Sequence, residues 1–232
     1  MKVYTKPGRD LKTLSQEYFS SPAAPTLLSS PLLNQDLSSL SVGRLVSLTG
    51  PLLAARDQAH KRLIALIKEG RELPFEPLGQ VIYYVGPTPA PPGRVIGAAG
   101  PTTSGRLDNL TIPLLDLGVK ALIGKGARSK EVKKALVRNK AVYLAAVGGA
   151  GAFYGRLVRR VEVIAWPELG PEALMRLWVE NFTSIVAVDL EGSDLYETGP
   201  AEWKKNRGSS MGEPKKSSFI SKSGYTPNGL DD

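Results

Sequence analysis

The sequence predicts an α/β protein, because short apolar runs of strand length alternate along the chain with stretches of helical periodicity. Its 232 residues are enough for one domain with appendages. Hydrophobic residues make up 42% and charged residues 22%, which is usual for a globular protein and argues against wholesale disorder or a coiled coil. We therefore expect a layered arrangement of sheet and helices, although local patterns do not order the strands.

Strands are predicted wherever a short apolar run is bounded by turn residues. The first covers residues 43–49 and follows a turn at Gly43. The last covers residues 184–189 and is followed by a turn at Gly192. Between them, the same pattern predicts strands over residues 81–85, 94–99, 121–123, 141–147 and 161–165.

Two helices have clear sequence signals. Residues 54–69 carry one apolar stripe at helical spacing, and Gly70 is a stop signal; the stripe consists of Leu63, Ile64, Leu66 and Ile67. Ser129 suits the N-cap of a helix over residues 130–138, because its hydroxyl can accept from a free N–H of the first turn.

The two ends of the chain differ in composition from the middle. Residues 1–25 contain three prolines and several serines without periodicity, so we expect a partly irregular N-terminal extension. Residues 199–232 are rich in Lys, Ser and Gly and are expected to form a disordered basic tail. The first nine residues are polar and basic, and no window reaches ~18 uninterrupted apolar residues. We expect a cytoplasmic protein.

The composition restricts the chemistry. The chain has no cysteine, which excludes disulfides, thiolate nucleophiles and an iron–sulfur cluster held by this chain alone, and its one histidine, His60, excludes a His-rich metal site. The net charge of +8 suits nucleic acid, an anionic membrane surface or acidic small molecules. Part of that charge belongs to the tail, and no basic run is interleaved with aromatic residues, so nucleic-acid binding is not expected.

The densest candidate site is GPTTSGRLD, residues 100–108. Its hydroxyl side chains suit the cap of a following helix, where free N–H groups and the helix dipole favour an anion. Arg106 would add a bidentate clamp. The alternative is a simple strand-to-helix turn with an exposed arginine.

Three weaker motifs accompany it. In ARDQAHKR, residues 55–62, Arg56 and His60 share a helical face beside Asp57, and the alternative is a solvated charged stripe. In GKG, residues 124–126, the glycines let the backbone approach a ligand beside Lys125. In GGAG, residues 148–151, either a phosphate nest or a tight turn is consistent with the sequence, and we favour the turn.

Several ordered motifs together resemble one known family. They are VIYYVGPTPAPPGRVIGAAGPTTSGRLD (81–108), LIGKGARSKEV (122–132), AVYLAAVGGAGAFYGRLV (141–158) and LGPEALMRLWVENFTSIVAVDLEGSDLYE (169–197). Residues 26–198 resemble the beta subunit, or C-terminal domain, of iron–sulfur-dependent class I fumarate hydratases and L-tartrate dehydratases. The resemblance implies a three-layer β/β/α swivelling domain. It also implies an alpha subunit that holds a four-iron–four-sulfur cluster, commonly in an α2β2 assembly.

The resemblance also implies the roles of individual residues in reversible hydration of fumarate to L-malate. Thr102 falls at the position of the proposed catalytic base. Arg106 falls at a catalytic and substrate-binding position, and Arg56 and Lys125 at substrate-binding positions. Residues expected to support them from behind, by relaying the proton or orienting the arginines, are Asp57, His60, Thr103 and Asp108. No metal ligand is expected in this chain.

Two alternatives remain open from the sequence. One is an L-tartrate dehydratase beta subunit, whose substrate carries one more hydroxyl and which no residue separates from a fumarate hydratase. The other is a non-enzymatic binding module of the same family. The presence together of Arg56, Thr102, Arg106 and Lys125 argues against the module, because drift would be expected to remove at least one of them.

Overall fold

The sheet contains seven strands connected mainly by helices. In the computed structural model, which describes residues 24–210, the strands are β1 (Thr26–Ser29), β2 (Leu45–Ala54), β3 (Val81–Tyr83), β4 (Ala121–Gly124), β5 (Val142–Ala145), β6 (Val158–Ala165) and β7 (Leu174–Val188). The helices are α1 (Asn34–Leu37), α2 (Asp57–Lys68), α3 (Asp108–Asp116), α4 (Lys130–Arg138), α5 (Gly151–Leu157) and α6 (Leu195–Ser210). Two 3₁₀ turns cover Ser104–Leu107 and Pro167–Glu172.

The strand pairings form a closed ring. Strands β1 to β5 pair in parallel in chain order. The long strand β7 runs antiparallel to β5 and β6, and it also pairs with β2 along the whole length of β2. The pairings β2–β3–β4–β5–β7–β2 therefore return to their starting strand. Because β2 to β5 are parallel, their carboxyl ends lie at one edge of the sheet.

Two apolar clusters occupy opposite faces of the sheet, because side chains alternate along each strand. One cluster contains Tyr83 and Leu144 together with Phe182 of β7. The other contains the adjacent residues Ile82 and Tyr143 and is covered by helices α2, α3 and α4. The central strands β3, β4 and β5 are thus buried on both faces, which explains why they appear in the sequence as continuous apolar runs.

Most of the predicted elements are confirmed. Strands are found in six of the seven predicted ranges, and the two predicted helices are present as α2 and α4. The cap prediction is also confirmed, since Ser129 Oγ accepts a hydrogen bond from Val132 N at 3.3 Å. The sequence did not indicate β1 or the fifteen-residue length of β7.

The predicted strand over residues 94–99 is wrong. This stretch turns back on Thr88 instead of joining the sheet: Gly97 N donates to Thr88 O at 3.0 Å, and Thr88 N donates to Ala98 O at 2.9 Å. The backbone groups of Gly97 and Ala98 are therefore already bonded, and the prolines at 89, 91 and 92 lie in the loop between Thr88 and this stretch.

The chain divides into two compact units at residue 198, close to the predicted start of the tail. Helix α6 continues to Ser210, so the first part of the range expected to be disordered is helical. Residues 211–232 of that expected tail, and residues 1–23 of the expected N-terminal extension, lie outside the described residues.

His60 lies within the apolar face of α2, so a solvated charged stripe is wrong for this residue. Its ring is fully buried, Nδ1 is 3.0 Å from Arg56 O, and Nε2 has no partner within the described part of the chain. The ring packs edge-on against Tyr84, with centroids 5.3 Å apart. Burial lowers the pKa of His60 to about 4, and Arg128 adds to the effect against the opposing influence of the Arg56 carbonyl and Asp57.

The buried imidazole makes folding depend on pH. The pKa of His60 is about 4 in the folded state and 6.5 in the unfolded chain, so the unfolded chain binds the proton at a higher pH. This difference leaves the free energy of unfolding unchanged above pH 6.5 and lowers it as the pH drops below 6.5. From pH 7.5 to 4.5 we expect His60 to account for a loss of roughly 2–3 kcal/mol. Urea unfolding of wild type and His60→Gln at both pH values measures this difference. Equal losses in the two proteins would contradict the assignment.

Candidate active site

The candidate residues meet at the edge formed by the carboxyl ends of the parallel strands. Arg56 follows the end of β2 and is the N-cap of α2. Lys125 directly follows β4. Thr102 belongs to the segment between β3 and α3, and its N–H donates to Tyr84 O, just past the end of β3, at 2.8 Å. Residues that are 69 positions apart in sequence, from Arg56 to Lys125, are therefore brought to one edge.

The segment with Thr102 is inserted between the extended ends of β3 and β4. Lys125 N donates to Thr102 O at 3.3 Å, and Ser104 N donates to Lys125 O at 2.9 Å. An isolated parallel bridge pairs Thr103 with Lys125. These backbone bonds fix Thr102 and Lys125 on adjacent strands of a short extension of the sheet.

Gly124 makes this insertion possible. A Cβ at this position would lie 1.9 Å from Ser104 Oγ and 2.9 Å from the Tyr84 ring, so any side chain would displace Ser104. The buried Ser104 hydroxyl bonds instead to Tyr143 Oη at 2.9 Å, and Tyr143 Oη also donates to Gly126 O at 2.9 Å. The first glycine of GKG thus serves close packing with the neighbouring segment.

A connected set of charged groups surrounds the Thr102 hydroxyl. Arg106 Nη2 donates to Thr102 Oγ1 at 2.7 Å and lies 3.3 Å from Asp57 Oδ2. Arg56 Nε lies 3.3 Å from the same carboxylate oxygen. Asp57 therefore bridges the two guanidinium groups and sets their separation.

The Asp57 carboxylate is held in its charged form. Desolvation alone would raise the pKa of Asp57, but a backbone hydrogen bond at the start of α2, together with Arg106 and Arg56, holds it below its usual value. Asp57 is therefore a fixed negative charge between two cations. This geometry supports an orienting role for Asp57.

Arg56 and Lys125 differ from each other in their contacts. Arg56 is also paired with Glu172, whose Oε1 is 3.4 Å from Arg56 Nε and whose Oε2 accepts from Gln58 N at 2.9 Å. Lys125 lies against Gly148 of the GGAG turn, where a Cβ would be 3.4 Å from Lys125 Cδ. Within residues 24–205, Lys125 has no ion-pair partner and is partly exposed.

The hydroxyl residues do not cap a helix, contrary to the sequence expectation. The 3₁₀ turn that begins at Ser104 has no side-chain cap, because Thr102 Oγ1 faces Arg106 and Ser104 Oγ faces Tyr143. Thr103 is exposed and adjoins the site through its backbone.

The expected supporting residues do not all reach the site. The Asp108 carboxylate contacts Arg128 Nε and Ser129 N, each at 2.7 Å, and not Thr102. The His60 ring bonds to the Arg56 carbonyl and not to a side chain of the site. The structure brings together Arg56, Asp57, Thr102, Arg106 and Lys125.

Sequence reasoning missed Glu172 and Arg128. Each acts through a contact with a residue far away in the chain, and neither stands in a motif of recognisable chemistry. The described residues contain no group of three or more His, Cys, Asp or Glu side chains that could hold a metal ion. Among the helices between residues 24 and 210, none is both long and apolar enough to cross a membrane.

Comparisons with known proteins identify the family of the chain. The family model described as Fumarase C-terminus matches residues 3–199. "Fumarate hydratase 1, mitochondrial" of Leishmania major is 36% identical over 201 residues, which are 83% of this chain and 36% of the relative. The anaerobic class I fumarate hydratase of Escherichia coli is 38% identical over 164 residues, which are 69% of this chain and 30% of the relative.

A third relative differs in length. A protein of Methanocaldococcus jannaschii, described as a candidate L(+)-tartrate dehydratase subunit beta, is 38% identical over 172 residues, which are 72% of this chain and 88% of the relative. The chain thus spans about a third of the length of the fumarate hydratases and most of this subunit. With the family model matching most of its length, the chain belongs to the Fumarase C-terminus family.

Proposed function

We propose that this chain is the beta subunit of an iron–sulfur-dependent hydro-lyase that interconverts fumarate and L-malate. The observation that carries the proposal is the 2.7 Å bond from Arg106 to the Thr102 hydroxyl, at a strand edge shared with Arg56 and Lys125. That edge combines a hydroxyl held by a cation with a surplus of positive charge. A dicarboxylate needs both for binding and proton transfer.

The cations suit a substrate with two carboxylates. Arg56 and Arg106 pair with two protein carboxylates, Asp57 and Glu172, and Lys125 has no ion-pair partner within residues 24–205, so positive charge remains in excess at this edge. The guanidinium of Arg106 is half exposed, with 51% of its side chain accessible, and can therefore accept a carboxylate from solvent. Removal of a proton next to a carboxylate places negative charge on that carboxylate, and nearby cations stabilise this transition state.

Thr102 is proposed to move the proton. Its oxygen accepts from the Arg106 guanidinium, and this contact favours the deprotonated alkoxide over the neutral alcohol. The hydroxyl proton is not used in that bond and can be exchanged with a substrate carbon or solvent. Asp57 supports this step by fixing Arg106 from the other side.

The chain does not fit as the holder of an iron–sulfur cluster. It has no cysteine, and its described residues offer no alternative ligand group. A four-iron–four-sulfur cluster of this enzyme class would therefore be held by a partner alpha subunit, where it would supply Lewis-acid chemistry. The subunit name and length of the M. jannaschii relative support a partner alpha subunit. We propose that the two form an α2β2 assembly in the cytoplasm.

The family resemblance further implies a three-layer β/β/α swivelling domain. The two apolar clusters support this proposal, because one is covered by helices α2, α3 and α4 and the other is bounded by opposite strands of the ring. Such a domain presents its carboxyl edge to a partner.

A second candidate is the beta subunit of an L-tartrate dehydratase, which converts tartrate to oxaloacetate. The match to the M. jannaschii relative over 88% of its length favours it. The two candidates share every contact described here. Turnover of L-malate or fumarate by the complex, reconstituted without oxygen with its cluster-bearing partner, supports the fumarate hydratase. Turnover of tartrate alone would replace it with the second candidate.

Thr102→Val keeps the shape of the side chain and removes its oxygen. Because the proton-transfer group is lost, we expect turnover by the reconstituted complex to fall by about 10²–10⁴. Thr102→Ser, which keeps the oxygen, is the matched control and is expected to remain within about tenfold of wild type. Steady-state kinetics with L-malate measures both, and wild-type rates for Thr102→Val would refute the role.

Arg106→Lys tests the forked contact. An ammonium group cannot bond Thr102, Asp57 and a substrate carboxylate in the geometry of a guanidinium, so we expect kcat/KM to fall by about 10²-fold. Arg71→Lys is the control, since Arg71 is exposed and its one ion pair within residues 24–205 is with Glu69. Kinetics on the same complex provides the comparison. Equal kcat/KM for the two variants would show that Arg106 serves only the fold.

A further inference from the structure

We propose that Arg128 is a positioning residue that fastens the segment carrying Arg106 to the loop carrying Lys125. The inference rests on the proposed function, because these two cations are assigned there to substrate binding. Arg128 itself touches none of Arg56, Thr102, Arg106 or Lys125 in the contacts of its guanidinium. Its effect would be exerted through the segments that it joins.

The guanidinium is buried to a degree that demands compensation. The Arg128 side chain has 0% exposure, and a buried charge is strongly unfavourable unless it is paired and hydrogen-bonded. Three side chains provide the partners: Asp108 Oδ1 at 2.7 Å from Nε, Tyr84 Oη at 3.4 Å from Nη1 and Thr111 Oγ1 at 3.1 Å from Nη2. The group is also flanked by the rings of Tyr84 and Tyr143, whose centroids are 5.3 and 5.1 Å from Cζ.

One assignment of donors and acceptors allows all the hydrogen bonds of this network to form at the same time. Thr111 Oγ1 donates to Leu107 O at 2.8 Å, which leaves its lone pairs for Arg128 Nη2 and for Tyr84 Oη at 2.9 Å. Tyr84 Oη then donates to Thr111 and accepts from Arg128 Nη1. Each side-chain nitrogen and oxygen of the network has at least one hydrogen-bond partner, which favours a rigid arrangement. Its end point is the carbonyl of the residue that follows Arg106.

The Asp108 carboxylate completes the link. One oxygen binds Arg128 Nε, and the other accepts from the backbone N–H of Ser129 at 2.7 Å. Asp108 is the first residue of α3 and stands two positions after Arg106. Arg128 stands three positions after Lys125. The Arg128–Asp108 pair therefore joins the two substrate-binding segments directly.

Tyr84 and Tyr143 also connect the network to the segment that carries Thr102. The Tyr84 carbonyl accepts from Thr102 N, and Tyr143 Oη joins Ser104 Oγ to Gly126 O. Because Asp108 pairs with Arg128 and not with Arg106, Arg106 is available for Thr102 and substrate. This assigns Asp108 a place in a structural clamp instead of a proton relay.

Arg128→Lys retains the charge and removes the fork, and Asp108→Asn weakens the clamp from the other side. In the reconstituted complex we expect each to reduce kcat by about 10–100-fold per folded enzyme, since a displacement of about 1 Å at a reacting group has that effect. The control is Arg138→Lys, because Arg138 forms an exposed pair with Asp116 on the neighbouring helices. A purely structural role would lower the melting temperature and leave kcat of the folded enzyme unchanged, and that result would overturn the proposal.

Hydrogen exchange on the full chain, without partner or substrate, separates this proposal from the proposed function. In Arg128→Lys and Asp108→Asn we expect faster exchange of the Ser129 and Ser104 amides, with the Val142 amide in the sheet unchanged. Unchanged exchange at Ser129 and Ser104 would refute the clamp whatever the activity. If the exchange pattern is as expected but the wild-type complex has no hydro-lyase activity, the clamp stands as a structural link and the assigned reaction fails.

Discussion

The geometry of the site depends on the insertion of residues 102–104 between the ends of β3 and β4. Three backbone hydrogen bonds hold this insertion: Thr102 N to Tyr84 O, Lys125 N to Thr102 O and Ser104 N to Lys125 O. Because the carboxyl ends of the parallel strands β3 and β4 lie at one edge of the sheet, the insertion places Thr102 and Lys125 on neighbouring segments at that edge. The arginines then reach the same place from the start of α2 and from the following 3₁₀ turn.

The charged side chains around this edge form two separate zones, an outer one that is partly exposed and an inner one that is buried. In the outer zone, Asp57 bridges Arg56 and Arg106, both partly exposed to solvent. In the inner zone, Asp108 is committed to a fully buried Arg128. A carboxylate that served both zones would reduce the positive field at the edge. Their separation leaves the outer cations able to meet an anion and gives the inner pair a role in holding the backbone.

The sequence indicated the site where residues of suitable chemistry stand close together in the chain. Thr102 and Arg106 are four positions apart, and their contact could be expected from the motif that contains them. The α/β class and most strands followed from apolar runs. Long-range contacts were not accessible. Glu172 reaches Arg56 because β7 pairs with β2, and Arg128 reaches Asp108 because the segments that follow β3 and β4 lie side by side. The loop at residues 94–99 resembled a strand because its apolar residues could be read in the sequence, whereas its hydrogen bonds to Thr88 could not.

If this edge forms one half of an active site, a crystal structure of the reconstituted complex with a bound dicarboxylate should show the ligand there. We expect one carboxylate of the ligand to lie within hydrogen-bond distance of Arg106 and of Arg56 or Lys125. We also expect Thr102 Oγ1 to face the carbon that carries the exchanged proton. A ligand bound elsewhere, with all three cations facing solvent or the partner's surface, would contradict this assignment.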